Sequence, residues 1–123
     1  MSEGLVKLVD ALAFAAERHS QQRRKDAAAS PYINHPIAVM RVLAIEAGIE
    51  DDVVLCAALL HDTIEDTATT ELELAQRFGA CVTAIVRALT DDKSLPKQER
   101  KERQVRHAPD LSREAALVKL ADK

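Results

Sequence analysis

Val53-Val54-Leu55-Cys56-Ala57-Ala58-Leu59-Leu60, running straight into His61-Asp62-Thr63-Ile64-Glu65-Asp66-Thr67, decides how this chain is read. An unbroken apolar run offers no polar face to water, so it predicts a buried helix. The run ends in one imidazole and three carboxylates within six positions, His61 to Asp66. Beside a core, no need for solubility explains them. At helical spacing His61 and Glu65 lie one turn apart, as do Asp62 and Asp66, which predicts that all four point into one sector. Ionisable groups converging next to a core point to a bound cation or to acid–base chemistry. The plainer alternative is a solvated helix end, since a His-Asp pair alone is a weak pattern.

The composition narrows the setting. A chain of 123 residues is one domain with a modest core. Ala, Leu and Val dominate and only three Gly occur, which favours an all-α fold. A net charge of −3 excludes the global basic field of a nucleic-acid-binding protein. The chain has no apolar run of signal-peptide or membrane-spanning length, and the expectation is a cytoplasmic protein with no membrane partner. Cys56 and Cys81 both fall in apolar helical patterns and read as reduced core residues, without disulfide or zinc spacing.

Outward from the central stretch, Leu5 to His19 predicts an amphipathic helix with Leu5, Leu8, Val9, Leu12 and Ala16 on its apolar stripe. A basic turn follows, Gln21-Gln22-Arg23-Arg24-Lys25-Asp26, either a solvated helix end or a phosphate contact. Ser30-Pro31-Tyr32-Ile33-Asn34-His35-Pro36 is a rigid connector. Pro36 suits the first helical position, which puts His35 at the entrance of a helix running to Ala47, with Gly48 at its end. Asp51-Asp52 opens the core helix, and Thr70 with Glu73 forms a capping box for a short helix stopped by Gly79. Val82, Ile85, Val86 and Leu89 mark the next helix, and Thr90 to Pro96 a turn. Residues 97–107 are too polar for a core helix. They read as an exposed charge-laced helix, or as a lid whose cations face an anionic ligand. Leu111 to Asp122 is the last predicted helix.

His35, the pair His61-Asp62, and Asp122 therefore stand on three predicted helices, each at the edge of an apolar run. Two imidazoles and two carboxylates make a mixed nitrogen–oxygen shell suited to a divalent first-row ion with coordination sites left open. In this order they resemble the HD superfamily of metal-dependent phosphohydrolases. The resemblance is closer to the hydrolase domain of RelA/SpoT homologues, especially the small stand-alone alarmone hydrolases. It rests on Gln22-Arg23-Arg24-Lys25-Asp26, Tyr32-Ile33-Asn34-His35-Pro36, Ala57 to Thr67, Thr90-Asp91-Asp92-Lys93-Ser94-Leu95-Pro96-Lys97 and Val118-Lys119-Leu120-Ala121-Asp122-Lys123. These segments appear in family order over nearly the whole chain.

The resemblance implies an all-α HD helical bundle that binds Mn2+ through His35, His61, Asp62 and Asp122. It implies hydrolysis of the 3′-pyrophosphate of guanosine tetra- or pentaphosphate, giving GDP or GTP and pyrophosphate. Glu65 and Asp66 match the family's catalytic pair, and spacing does not decide which is the base. By the same resemblance Arg24 lies against the guanine, Lys25 helps hold the nucleotide and Lys97 approaches the phosphates. With Phe14, Phe78 and Tyr32 the only aromatics besides histidine, stacking on a base falls more naturally to a guanidinium.

The family continues beyond the motif that ends in Asp122-Lys123, whereas this chain stops. The expectation is thus one HD hydrolase domain over residues 1–123 without its usual C-terminal helices, either a fragment or a homo-oligomer that closes its core against a second copy. Other readings stay open: a phosphatase acting on another nucleotide such as NADPH, a catalytically weak alarmone-binding module, or a helical module with coincidental charges.

Overall fold

The structure is a computed structural model that describes residues 2–122. It is built of helices: α1 Glu3–Arg18, α2 Asn34–Arg41 continuing as a π-helical turn Val42–Glu46, α3 Asp52–Leu60, α4 Thr63–Asp66, α5 Glu71–Phe78, α6 Ala80–Leu89, α7 Lys97–His107 followed by a 3-10 turn Ala108–Asp110, and α8 Arg113–Ala121. Among the described residues the one β-type pairing is an isolated antiparallel bridge between Arg23 and Pro31. The all-α expectation holds.

Helix α3 is the axis of the bundle. Asp51 caps it by accepting a hydrogen bond from the Val53 N–H at 2.9 Å, so the helix starts where the apolar run starts. All of Val54 to Leu60 is buried. The neighbours that bury it are α1, α2, α6 and α8. Phe14 and Phe78 meet edge to face at 5.4 Å where α1 approaches α5, and the Arg18 and Arg77 guanidiniums cover Phe14. Each of those arginines is then held by a carboxylate, Arg18 by Glu73 and Arg77 by Asp10.

Several local expectations need correction. The buried stripe of α1 is Ala11, Phe14 and Ala15 with Leu8 and Leu12 beside it, while Leu5 and Val9 are exposed. The helix presents a face rotated from the Leu5/Val9 stripe because the large Phe14 ring sets what faces α5. Helix α2 begins at Asn34, so Pro36 is its third residue rather than its first. That position still lies in the first turn, where a missing N–H costs nothing. Cys81 is exposed, because Val82, Ile85 and Val86 turn the other face of α6 inward; Cys56 is buried as expected. The capping box is half made: Thr70 accepts from the Glu73 N–H, but the Glu73 carboxylate goes to Arg18. Two glycines sit where a left-handed backbone ends a helix, Gly48 at φ +67° and Gly79 at φ +95°. Lys123, at the end of the last motif, lies outside the described residues.

No helix among the described residues is long and apolar enough to cross a membrane.

Burial locates the stability. Leu59 is fully buried, so Leu59→Ala is expected to lower the unfolding free energy by about 2–5 kcal/mol. Leu72 is 67% exposed, and Leu72→Ala is expected to change it by less than about 0.5 kcal/mol. Urea denaturation of the two variants checks this; equal losses would contradict the packing.

Candidate metal centre and its cleft

Helix α3 stops at His61, and the stop has a physical cause. The imidazole folds back so that Nδ1 lies 2.6 Å from the Ala58 carbonyl oxygen. A carbonyl only accepts, so Nδ1 carries the hydrogen and donates it. The Thr63 hydroxyl donates to the Leu60 carbonyl at 2.7 Å. Asp62 then takes φ −100° and ψ 0°, which sets α4 off as a separate turn. His61 and Asp62 therefore do not continue one helical face with Glu65 and Asp66. The four residues split into two overlapping groups that share Asp62: His35, His61 and Asp62 on one side, Asp62, Glu65 and Asp66 on the other.

In the first group the donor atoms lie within 4.8 Å of one another. The rings of His35 and His61 are 5.6 Å apart between centroids. Asp122, at the end of α8, places Oδ1 2.6 Å from His35 Nε2 and 3.5 Å from His61 Nε2. His61 Nε2 is also 3.1 Å from Asp62 Oδ2. None of these contacts is aligned as a hydrogen bond to His61, and its buried Nε2 has no hydrogen-bond partner. A buried imidazole nitrogen that is left free, with its other nitrogen committed to a carbonyl, is the arrangement a metal ligand requires. Three helices thus bring together all four residues expected at the metal, and the donor set fits a divalent ion.

The charges explain one another. Burial opposes the cationic form of His61, but the Asp122 and Asp62 carboxylates outweigh it and raise its pKa to about 10. Burial also opposes ionisation of Asp122, yet the His35 and His61 imidazoles hold it well below the usual carboxylate range. For Asp62, His61 and the Tyr32 hydroxyl likewise overcome burial and lower the pKa. Tyr32 donates to Asp62 Oδ2 at 2.6 Å, and burial together with that carboxylate keeps the phenol protonated. Behind it the buried His19 ring lies against Tyr32 at 4.8 Å.

The second group behaves differently. Burial, joined by repulsion from Asp91, Asp66 and Asp62, raises the pKa of Glu65, although the Asp91 N–H donates to Oε1 at 2.7 Å. Asp66 is instead paired with the Lys93 ammonium, and Gln22 Nε2 approaches its other oxygen at 3.5 Å.

A cleft of about 310 Å3 opens beside the centre. His61, Asp62, Glu65 and Asp122 line it, together with apolar side chains such as Leu89, Leu111 and Val118. Arg100, Arg103, Gln104 and His107 of α7 form another part of its wall, and Lys119 projects from α8. Arg24, Lys25 and Lys97 are not among its lining residues. Arg24 and Lys25 ride on a loop whose strand-like ends are paired by Arg24 N–H to Ser30 O and Tyr32 N–H to Gln22 O. Lys97 is exposed at the first turn of α7. The sequence predicts α7 as an exposed charge-laced helix or as a lid whose cations face an anionic ligand; that residues 100, 103, 104 and 107 share one helical stripe is a further signal in the numbering.

An HD-domain profile matches residues 11–123, and an HD domain implies a divalent metal ion, in keeping with the His/Asp cluster here. The chain is 57% identical over all its 123 residues to a Xenopus tropicalis protein named guanosine-3′,5′-bis(diphosphate) 3′-pyrophosphohydrolase MESH1, covering 69% of that relative. The Homo sapiens protein of the same name is 58% identical over the same span, again with 69% covered. A solved structure described as a metazoan ortholog of SpoT that hydrolyzes ppGpp superimposes with a TM-score of 0.92 at 50% identity, over 94% of this chain and 65% of that one. The chain thus spans about two-thirds of the length of these relatives. On the profile match and these identities, the chain belongs to the HD-domain family, among the MESH1-type hydrolases.

Proposed function

We propose that residues 1–123 form one hydrolase domain that removes the 3′-pyrophosphate from guanosine tetra- or pentaphosphate, releasing pyrophosphate and GDP or GTP. The observation that carries this is the free, buried Nε2 of His61 facing the carboxylates of Asp62 and Asp122 with His35 alongside. It is joined by the 3′-pyrophosphohydrolase activity named for relatives that are nearly 60% identical.

In this reading His35, His61, Asp62 and Asp122 hold the metal, and Mn2+ suits their mixed nitrogen–oxygen set. When bound, the ion polarises the scissile phosphate and acidifies a nearby water. The chain supplies the rest. Tyr32 fixes the Asp62 carboxylate through its hydroxyl. Glu65, with its raised pKa and one oxygen anchored by the Asp91 amide, takes the proton of the attacking water. Water adds to the phosphorus next to the ribose, the bond from that phosphorus to O3′ breaks, and the proton taken up by Glu65 is passed to O3′ as it leaves. Asp66, its charge compensated by Lys93, orients the water and holds the Lys93 ammonium near the reacting phosphates. Arg24, Lys25 and Lys97 are assigned to the substrate through their places in the motifs, and they reach it from outside the cleft rim.

Assay with ppGpp and Mn2+ tests the whole reading. Pyrophosphate and GDP are the expected products, lost when the metal is chelated. Phosphate released from NADPH instead, in the absence of pyrophosphate from ppGpp, would replace the substrate assignment. Asp62→Ala is expected to abolish metal binding and turnover together. Glu65→Ala should leave metal binding intact and slow turnover by about 10²-fold or more; full activity in that variant would remove Glu65 as the base.

The charge balance also gives a pH prediction. The folded, metal-free protein holds the proton of His61 up to about pH 10, against 6.5 for an ordinary histidine. A raised folded pKa stabilises fully below the unfolded value and is lost as pH climbs through the folded one. The Tm of chelated protein should therefore fall between about pH 6.5 and 10, while apparent Mn2+ affinity rises over the same window because the ion displaces that proton. An affinity flat in pH would contradict the assignment of His61 as a ligand.

A further inference from the structure

Helix α7 buries none of its residues, but Arg100 and Gln104 are half-buried and, with the exposed Arg103 and His107, line the cleft. These four residues recur at helical spacing, so one stripe of the helix contributes all of them. Gln104 fixes the helix against the preceding loop: its Nε2 donates to Asp91 Oδ2 at 2.6 Å. The nearby Asp92 carboxylate is taken up by the Ser94 hydroxyl and N–H. The two arginines are the stripe's permanent cations, and Arg103 joins Ser94 in holding the Asp92 carboxyl below its usual range. Neither forms an ion pair among the described residues, and Arg100 Nε is buried with no hydrogen-bond partner. A guanidinium nitrogen shut away from water and unpaired is costly, and it is satisfied when an anion enters beside it.

We infer that Arg100 and Arg103 form a second anion subsite, which takes the substrate's non-scissile phosphates. The subsite makes the enzyme selective for nucleotides carrying phosphates at two positions on the ribose. For its substrate this rests on the hydrolase reading above. One phosphate group lies at the metal, and the 5′-diphosphate reaches the α7 wall, with the apolar side chains of the cleft between them. The acidic residues at the metal centre need an ion before they tolerate phosphate, whereas the two α7 guanidiniums offer cations to it directly, beside Asp91 and Asp92, whose carboxylates are held by Gln104 and by Ser94. Arginine suits the task because its planar fork grips two oxygens of one phosphate.

Two measurements on the full chain test this. Metal-free wild type and the Arg100→Ala/Arg103→Ala variant are titrated with GDP and with guanosine, which lacks the diphosphate. The expected result is a loss of about tenfold or more in GDP affinity with guanosine unchanged, each charged hydrogen bond being worth roughly a factor of ten. In turnover of ppGpp the same variant should raise KM by a similar factor and leave kcat within about twofold. Equal GDP affinity in the two proteins, or a parallel loss for guanosine, overturns the subsite. If wild type cleaves ppGpp and the variant matches its KM, the subsite fails and the hydrolase reading survives. If no ppGpp is cleaved but GDP binding depends on the two arginines, the subsite stands and the hydrolase reading fails. No residue of α7 belongs to the core, so the variant is expected to keep its fold, which its unfolding transition checks.

Discussion

One hydrogen bond organises the centre: the His61 imidazole turned back onto the Ala58 carbonyl of its own helix. It commits Nδ1 as donor and leaves Nε2 free. Because α3 is buried on all sides, that nitrogen cannot turn to solvent. The same burial prevents the carboxylates that follow from being diluted by water. Interactions between charges weaken in water and strengthen in a protein interior. The end of α3 is thus a place where charges must be matched by neighbours. His35 arrives on α2 and Asp122 on α8, both helices that pack on α3. The site is a consequence of where the core helix stops.

Two carboxylates of α4 that look alike in sequence receive different surroundings. Glu65 has a single amide for support and lies among three aspartates, so its carboxyl holds a proton more readily than usual. Asp66 stands in the same acidic group but is paired with the Lys93 ammonium. A carboxylate with a raised pKa can take a proton while a neighbour held by a cation serves positioning. The α7 wall adds two arginines to a cleft whose other charged lining is mostly acidic.

Much of this was legible in the chain. Unbroken apolar residues from Val53 to Leu60 were rich enough to be a buried helix, and the motif order around His35, His61-Asp62 and Asp122 pointed to the family now shown. Periodicity was less reliable where a large side chain set the packing, as Phe14 does on α1. The single helical sector drawn through His61, Asp62, Glu65 and Asp66 could not anticipate a helix that breaks at Asp62. That break depends on hydrogen bonds back to Ala58 and Leu60, which no spacing reveals. Cys81 looked like core because its neighbours are apolar, although it sits on the outer side of α6. The α7 stripe was written in the positions 100, 103, 104 and 107. Without the cleft in view, however, a polar stripe on a polar helix has nothing to stand out against.

The central claim is that two imidazoles and two aspartates from three helices share one ion. A crystal of the protein soaked in Mn2+ and measured at the manganese absorption edge tests it most directly. The account predicts a single anomalous peak within bonding distance of His35 Nε2, His61 Nε2, Asp62 and Asp122. A peak held by Asp62, Glu65 and Asp66 with both imidazoles uninvolved, or no peak at saturating Mn2+, would contradict it.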